Sequence, residues 1–223
     1  MKIAFFSSAL LFATTAMSAT PINGWYSSIF SGTNYLFDNL SVHKYGLAFT
    51  DASYEFGYEV GGRLGLQANQ IRYEGELTYL NADLRRFYVN DIRQTHASGN
   101  TDAIFAMANA YYDFPDMVEA ISPFLGVGIG YGWIKGSLSS RNFYYPTYSY
   151  STTYPAYTYY RNSSNVFAYQ ATFGFTYNFE ENYALNIAYR YIGTNRVDAL
   201  GKVFQANLAT VGVIYRFNEH IYK

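Results

Sequence analysis

Apolar and polar residues alternate with a period of two along most of the chain after about residue 20. From Leu125 to Trp133 every second residue is large and apolar, and all the residues between them are glycines. A period of two is typical of a strand with one apolar face. In the clearest strands the apolar face carries no Asp, Glu, Lys, Arg or His. The pattern predicts eight strands, at residues 24–31, 54–67, 71–80, 102–114, 123–135, 166–179, 183–192 and 203–217.

Alternation by itself does not separate a soluble sandwich or lipocalin-like barrel from a membrane barrel. The predicted strands are about 10–14 residues long, whereas soluble strands average about 5–6 residues and a tilted membrane-spanning strand needs about 9–11. Long connections alternate with tight links at 68–69, 115–121 and 180–182, as in outer-membrane barrels. We therefore predict an all-β fold, an eight-stranded antiparallel up-and-down transmembrane β-barrel over residues 20–217, followed by a short tail at 218–223.

Two tight links predict the register of their hairpins. A two-residue turn at 68–69 would pair Leu66 with Ile71, and Arg63 with Glu74, so that like faces meet.

The second link, at 180–182, would keep Phe179 and Tyr183 on the same outer face, with Asn182 in a left-handed conformation. Aromatic residues near the predicted strand ends resemble interfacial girdles. They are Tyr79, Trp133 and Tyr191 at one end, and Tyr177, Phe179, Tyr183, Tyr215 and Phe217 at the other.

The polar faces of these strands carry charges that would point into the barrel. Eight strands enclose a lumen that is only wide enough for side chains to fill it, and buried opposite charges are expected to pair. We predict a salt-bridged plug, in which the glycines at 126, 128, 130 and 132 leave room for long Arg and Glu side chains. A narrow water path gated by the same ion pairs is the alternative. The inward charges are Glu55, Glu59, Arg63, Arg72, Glu74, Glu76, Arg190 and Arg216.

Composition agrees with a lipid-facing sheet. Aromatic residues make up 21% of the 223 residues, which argues against intrinsic disorder. Charged residues make up only 14%, against roughly 25% in a typical soluble domain. The net charge of −1 gives no indication of nucleic-acid binding, for which a basic surface is typical. Because the chain has no Cys, disulfides and thiolate metal sites are excluded, and we expect no cofactor.

The first 19 residues have the pattern of a secretory signal peptide. Lys2 precedes an apolar run, and small residues follow up to Ala19. Cleavage after residue 18 and cleavage after residue 19 both fit the pattern. A buried N-terminal helix is the alternative.

No arrangement of residues predicts catalysis. The histidines are His43, His96 and His220, and the strand pattern assigns them to two loops and the tail. None lies on a strand beside a Ser and an acid, so a Ser/His/acid site is not expected. Acidic residues within 113–119 could in principle bind Ca²⁺, but a solvated turn explains them better. We therefore expect neither enzymatic activity nor a metal site.

The third long connection, residues 141–161, is unusually rich in tyrosine. Tyr interspersed with Ser, Thr and Pro is typical of adaptable binding loops, because the ring offers a large contact area at low entropic cost. The segment is either a recognition surface or an extended hairpin whose Tyr alternation is ordinary strand packing, and the two are compatible. Its tyrosines are Tyr144, Tyr145, Tyr148, Tyr150, Tyr154, Tyr157, Tyr159 and Tyr160.

Several stretches resemble the opacity-type outer-membrane barrels, relatives of the outer-membrane protein A-like membrane domain. They are residues 108–114 with 121–132, which look like the central hairpin of that family, and the weaker matches at 189–192 and 213–217. The resemblance implies a surface-exposed barrel in the outer membrane of a Gram-negative bacterium. Such proteins act as adhesins, surface antigens or envelope-stabilising barrels, with a small porin-like diffusion channel as the alternative.

The resemblance also implies partners. These are outer-membrane lipid and lipopolysaccharide, the barrel assembly machinery, and a host surface receptor. In the family the closing aromatic ends the chain and serves as an assembly signal, which would be Tyr215 and Phe217 here. Residues 218–223 follow them, which departs from the family pattern.

Overall fold

A computed structural model of the protein describes residues 23–37, 39–42, 49–89, 92–93, 98–114, 120–141, 157–197 and 202–217. The predicted signal peptide, the tail at 218–223 and the three histidines lie outside these residues. In the described ranges no helix has the length and apolar character needed to cross a membrane.

The described residues form eleven β-strands, eight of which close into an antiparallel barrel. Each barrel strand pairs with the next along the chain, and β1 pairs with β11 from Tyr26↔Arg216 to Leu36↔Ala206, which closes the ring. The predicted eight-stranded up-and-down architecture is therefore confirmed. The barrel strands are β1 (Gly24–Leu36), β4 (Gly57–Ala68), β5 (Ile71–Val89), β7 (Ser98–Asp113), β8 (Ile121–Arg141), β9 (Tyr157–Asn178), β10 (Tyr183–Val197) and β11 (Lys202–Arg216); the shorter ones are β2 (Asn39–Val42), β3 (Phe49–Tyr54) and β6 (Ile92–Arg93).

The alternating sequence pattern produces one outward apolar face. Val127 and Ile129 of β8 are 63% and 60% exposed, whereas the inner face of that strand carries glycines. In water such a continuous apolar surface would be unfavourable, but lipid tails cover it in a membrane barrel. The first strand, whose faces the sequence left unassigned, turns Tyr26 and Phe30 inward.

The turn between β4 and β5 differs by one residue from the prediction. Asn69 adopts a left-handed conformation with φ of 56°, which Asn tolerates better than most residues. The turn therefore lies at 69–70. Leu66 pairs with Tyr73 rather than Ile71, and Arg63 pairs with Glu76 rather than Glu74.

The link between β9 and β10 agrees with the prediction in one respect and not in another. The rings of Phe179 and Tyr183 stack on the outer face with centroids 6.4 Å apart, as expected. Asn182 is not in a left-handed conformation. Its side-chain amide instead donates to the main-chain oxygen of Arg216, at 2.9 Å.

The predicted inward position of Glu55 is wrong, because the strand is interrupted there. The register between β3 and β5 shifts after Ser53, and residues 55–56 leave the strand before β4 begins. This interruption at 55–56 reverses the alternation, since Tyr54 and Glu59, which are an odd number of residues apart, are both buried. Tyr54 is consequently buried in the interior, and Glu55 is exposed.

Two strand assemblies continue beyond the barrel at the end opposite the tight turns. β8 and β9 remain paired as far as Arg141↔Tyr157. The far end of β5 pairs with β3 and with β6, and β3 pairs with β2, so that the first two long connections share a small sheet.

The inner glycines of β8 make room for neighbouring side chains of β7, not for Arg and Glu side chains as predicted. A methyl group on Gly126 would collide with the ring of Tyr111, and one on Gly132 would collide with the ring of Phe105. Close packing of an aromatic ring against a glycine of the adjacent strand therefore fills the lumen between β7 and β8.

We expect Gly126→Ala to lower the free energy of unfolding by about 1–3 kcal/mol, because the Tyr111 ring has no space into which to withdraw. The matched control is Gly62→Ala on the lipid face, where the nearest atom would be 3.7 Å from the new methyl group; it should change stability by less than about 0.5 kcal/mol. Urea unfolding from lipid vesicles measures both. If Gly126→Ala and Gly62→Ala change the free energy of unfolding equally, the lumen is loosely packed.

Candidate functional site in the barrel lumen

The lumen contains two layers of different chemistry, stacked along the barrel axis. Next to the tight turns most inward side chains are polar or charged, and toward the long connections most are apolar. The change is abrupt along a single strand: in β5 Thr78 is followed on the inner face by Leu80, and in β10 Arg190 is followed by Ile192. The apolar layer contains Leu36, Tyr54, Leu80, Ala82, Ala103, Phe105, Met107, Ile134, Val166, Ala168, Ile192, Val197, Phe204, Ala206 and Leu208.

Arg190 lies at the centre of the polar layer, with a side chain that is 0% exposed. Its guanidinium spans the lumen to two strands on the opposite wall, where it pairs with Glu59 of β4 at 3.2 Å and with Glu76 of β5. It also donates to the amide oxygen of Gln170, at 3.0 Å. Glu59 in turn accepts a hydrogen bond from the hydroxyl of Thr210 in β11. This cluster connects strands that are not neighbours in the sheet.

Arg63 extends the network toward the turns. Its Nε is 2.8 Å from Glu76 and 3.5 Å from Glu74. The ring of Phe30 lies between two guanidinium groups, with its centroid 4.1 Å from the central carbon of Arg63 and 5.1 Å from that of Arg190. An aromatic face stabilises a desolvated cation, so Phe30 is a functional part of the network that charge patterning alone does not identify.

Arg72 forms the part of the network nearest the turns. Its Nε is 2.8 Å from a carboxylate oxygen of Asp113, and its Nη1 is 3.5 Å from Glu74. The hydroxyl of Tyr26 donates to the same Glu74 oxygen at 2.6 Å. The ring centroid of Tyr111 is 5.0 Å from the central carbon of the Arg72 guanidinium. Each carboxylate in this part of the lumen is thus shared between donors.

Arg216 is buried but lies apart from the carboxylates. It donates to the side-chain oxygen of Asn178 at 2.6 Å and to the main-chain oxygen of Glu181 at 3.4 Å. Within the described ranges Arg216 makes no ion pair. It borders a cavity of about 20 Å³ at the turn end of the barrel, lined by Tyr26, Gln67, Arg72, Asp113, Ser122, Thr176, Asn178, Ile214 and Arg216.

The structure brings together six of the eight charges predicted to face the lumen, while Glu55 is exposed and Arg216 lies at the edge of the cluster. The pattern did not identify Asp113 as a member, because it lies at the strand end. The six are Glu59, Arg63, Arg72, Glu74, Glu76 and Arg190.

The remaining predicted residues lie elsewhere. Tyr215 and Phe217 lie on the outer face with their ring centroids 5.3 Å apart. Tyr157, Tyr159 and Tyr160 belong to β9. The other five predicted loop tyrosines, Tyr144, Tyr145, Tyr148, Tyr150 and Tyr154, lie outside the described residues. In the described part of the chain, no group of three or more His, Asp or Glu side chains is arranged to hold a metal ion.

Sequence reasoning missed the apolar layer, although a signal for it exists. From Ala103 to Ala108 both parities of β7 are apolar, which is typical of a strand that is covered on both faces. In this barrel one face is covered by lipid and the other by the packed lumen. The apolar layer occupies the lumen on the side of the long connections.

The comparisons with known proteins agree with this architecture. The family model described as an outer membrane protein beta-barrel domain matches residues 4–217. Neisserial surface protein A is a similar solved structure, with a TM-score of 0.54 and 16% identity over 87% of this chain and 97% of that chain. OprG from Pseudomonas aeruginosa has a TM-score of 0.54 and 14% identity over 91% and 99%. Among curated proteins no sequence matches this chain.

We expect Arg190→Gln to lower the free energy of unfolding by about 3–5 kcal/mol, because Glu59 would keep a buried charge without its ion-pair partner and Glu76 would keep only Arg63. Arg161→Gln is the control, since Arg161 is exposed, and it should change stability by less than about 0.5 kcal/mol. Urea unfolding in lipid vesicles provides the measurement. Adding Glu59→Gln to Arg190→Gln should recover part of the loss. If Arg190→Gln and Arg161→Gln have the same free energy of unfolding, the network does not stabilise the barrel.

Proposed function

Because the chain belongs to the outer membrane protein β-barrel family and lies in the outer membrane, we propose that it is a surface-presenting barrel. In this proposal it acts as an adhesin or surface antigen with a structural role in the envelope. The loops contact the host or the environment, and the barrel holds them. A small diffusion channel is the alternative function.

The observation that carries the proposal is the length of the β8–β9 hairpin. Trp133 marks the predicted outer aromatic girdle, yet the two strands stay paired from Trp133↔Asn165 to Arg141↔Tyr157. Eight further residues per strand correspond to roughly 26 Å along the hairpin. A paired hairpin of this length supports a rigid stalk that carries the Tyr-rich segment away from the membrane.

The sheet formed by β2, β3, β5 and β6 supports a second contact surface. Arg85 lies at the register shift between β3 and β5, and it and Arg86 are exposed. Exposed arginines suit anionic groups, since the guanidinium binds phosphate and carboxylate in a bidentate manner. We therefore include lipopolysaccharide and a host surface receptor as partners of the loop side.

The packing of the lumen favours the surface role over the channel. A permeant solute would have to pass both the paired charges around Arg190 and the apolar layer around Phe105 and Leu80. Both layers consist of buried side chains in mutual contact. Opening such a path requires the loss of ion pairs and of apolar packing together.

Assembly of the barrel involves further partners. Tyr215 and Phe217 remain candidates for the signal that the barrel assembly machinery recognises. Both are outward-facing at the turn end, where they continue a row of aromatic rings with Tyr183. Their outward position leaves them available to an assembly partner and, afterwards, to lipid.

We expect bacteria to lose binding to host cells or to matrix when residues 142–156 are replaced by Asn-Gly. This short turn would join Arg141 to Tyr157 and keep the paired strands, so that the result reports on the loop and not on the barrel. The control replaces residues 198–201 by Asn-Gly. Both variants are checked for folding by heat-dependent gel migration, and binding is counted per cell.

A second variant changes only the chemistry of the loop, by replacing Tyr144, Tyr145, Tyr148, Tyr150 and Tyr154 with Ser. It should reduce binding as the deletion does. If binding is unchanged in both the deletion and the Ser variant, the Tyr-rich segment is not the recognition surface.

We expect the purified protein to give no stable conductance in planar lipid bilayers, because the apolar layer excludes hydrated ions. Replacing Leu80, Phe105 and Phe204 together with Ala should produce intermittent current, whereas Arg161→Ala at the surface should not. A steady current from the unmodified protein would establish the diffusion channel instead.

A further inference from the structure

The cavity at the turn end of the barrel is lined by two arginines, of which one has carboxylate partners and the other has none. Its charged lining residues are Arg72, Arg216 and Asp113, and Arg72 is paired with both Asp113 and Glu74. Asp113 is already engaged by Nε of Arg72, at 2.8 Å. No carboxylate of the described ranges pairs with Arg216.

Two guanidinium nitrogen atoms at this cavity lack hydrogen-bond partners. They are Nε of Arg216 and Nη2 of Arg72, both fully buried. Each of the two residues is only 4% exposed. A buried donor without a partner is costly, especially when it belongs to a charged group, and two such donors beside one cavity indicate that an acceptor belongs there.

We propose that Arg216 and Arg72 form a binding site for one oxyanion, a carboxylate or phosphate group, at the turn end of the barrel. An oxyanion supplies the missing acceptor and a counter-charge for Arg216, and guanidinium groups bind such oxygens through short charge-assisted hydrogen bonds. The cavity of about 20 Å³ has room for about one water-sized atom. One oxygen of the ligand therefore enters the cavity, while the rest of its group remains at the mouth.

The same chemistry can come from two sources. One is a soluble anion. The other is the chain itself, because Glu219 follows Phe217 by two residues, and the main-chain nitrogen of Phe217 is anchored at the turn end by a hydrogen bond to Trp25. The site is the same in both cases, and an experiment on the intact protein and on a tail-deleted form separates them.

The test is a titration of the full-length protein in detergent micelles with inorganic phosphate at constant ionic strength, followed by NMR of the arginine Nε–H signals. The signal that disappears in Arg216→Gln assigns Arg216, and Arg216→Lys serves the same purpose if the Gln variant does not fold. We expect a saturable shift of the Arg216 signal. In Arg216→Gln the apparent affinity, read from the Arg72 signal, should fall by roughly tenfold or more, whereas Arg161→Gln should retain it.

The tail-deleted form, lacking residues 218–223, identifies the source. Phosphate binding of equal strength in the intact and tail-deleted proteins supports a soluble anion as ligand. Binding that appears or strengthens several-fold only after deletion supports the same site with Glu219 as its occupant. If neither form shows a saturable shift, or if Arg216→Gln leaves the affinity unchanged, the cavity holds only water or other parts of the chain and the proposal is overturned.

Discussion

The ion pairs of Arg190 with Glu59 and Glu76 are the interaction on which the rest of the barrel depends. A guanidinium with no exposed surface must be paired, since an isolated buried charge is far less stable than the same charge in water. Its partners lie on β4 and β5, across the lumen from β10. Adjacent strands are already joined by main-chain hydrogen bonds, whereas opposite walls are connected by side chains that cross the lumen, as these do. A change in the register of any of these strands would separate the charges, so the network selects one closed arrangement.

The same constraint explains why the lumen has two layers. The charged layer satisfies its donors and acceptors internally, with Phe30 and Tyr111 covering the flat faces of the guanidinium groups. Beyond Thr78 and Arg190 most inward side chains are apolar, and they pack as the core of a soluble protein does. The barrel therefore has a dense interior with lipid outside it. Such a scaffold tolerates change in its loops, because the ion-pair network and most of the apolar layer come from the eight barrel strands.

The outcomes of the sequence predictions show where periodicity is reliable. Alternation identified every barrel strand and the inward side of seven charged residues, because a period of two places successive side chains on opposite faces whatever the neighbours are. It failed at Glu55, where an interruption of the strand at residues 55–56 reverses the two faces. It also failed at the turn after Ala68, since moving a turn by one residue changes the partner of Arg63 from Glu74 to Glu76. The hydrophobic pattern of the sequence gives no signal for local interruptions of this kind.

The sequence by itself determined the strands, the apolar face that meets lipid and the supply of opposite charges for the interior. These features depend only on residue type and on spacing within one strand. The tertiary structure decided which charges pair, because Arg190 and Glu59 are 131 residues apart and meet only when the barrel closes. It also decided that apolar residues fill half of the lumen, since an alternating strand does not reveal what lies opposite its inner face. The isolation of Arg216 beside a small cavity follows from the same closure.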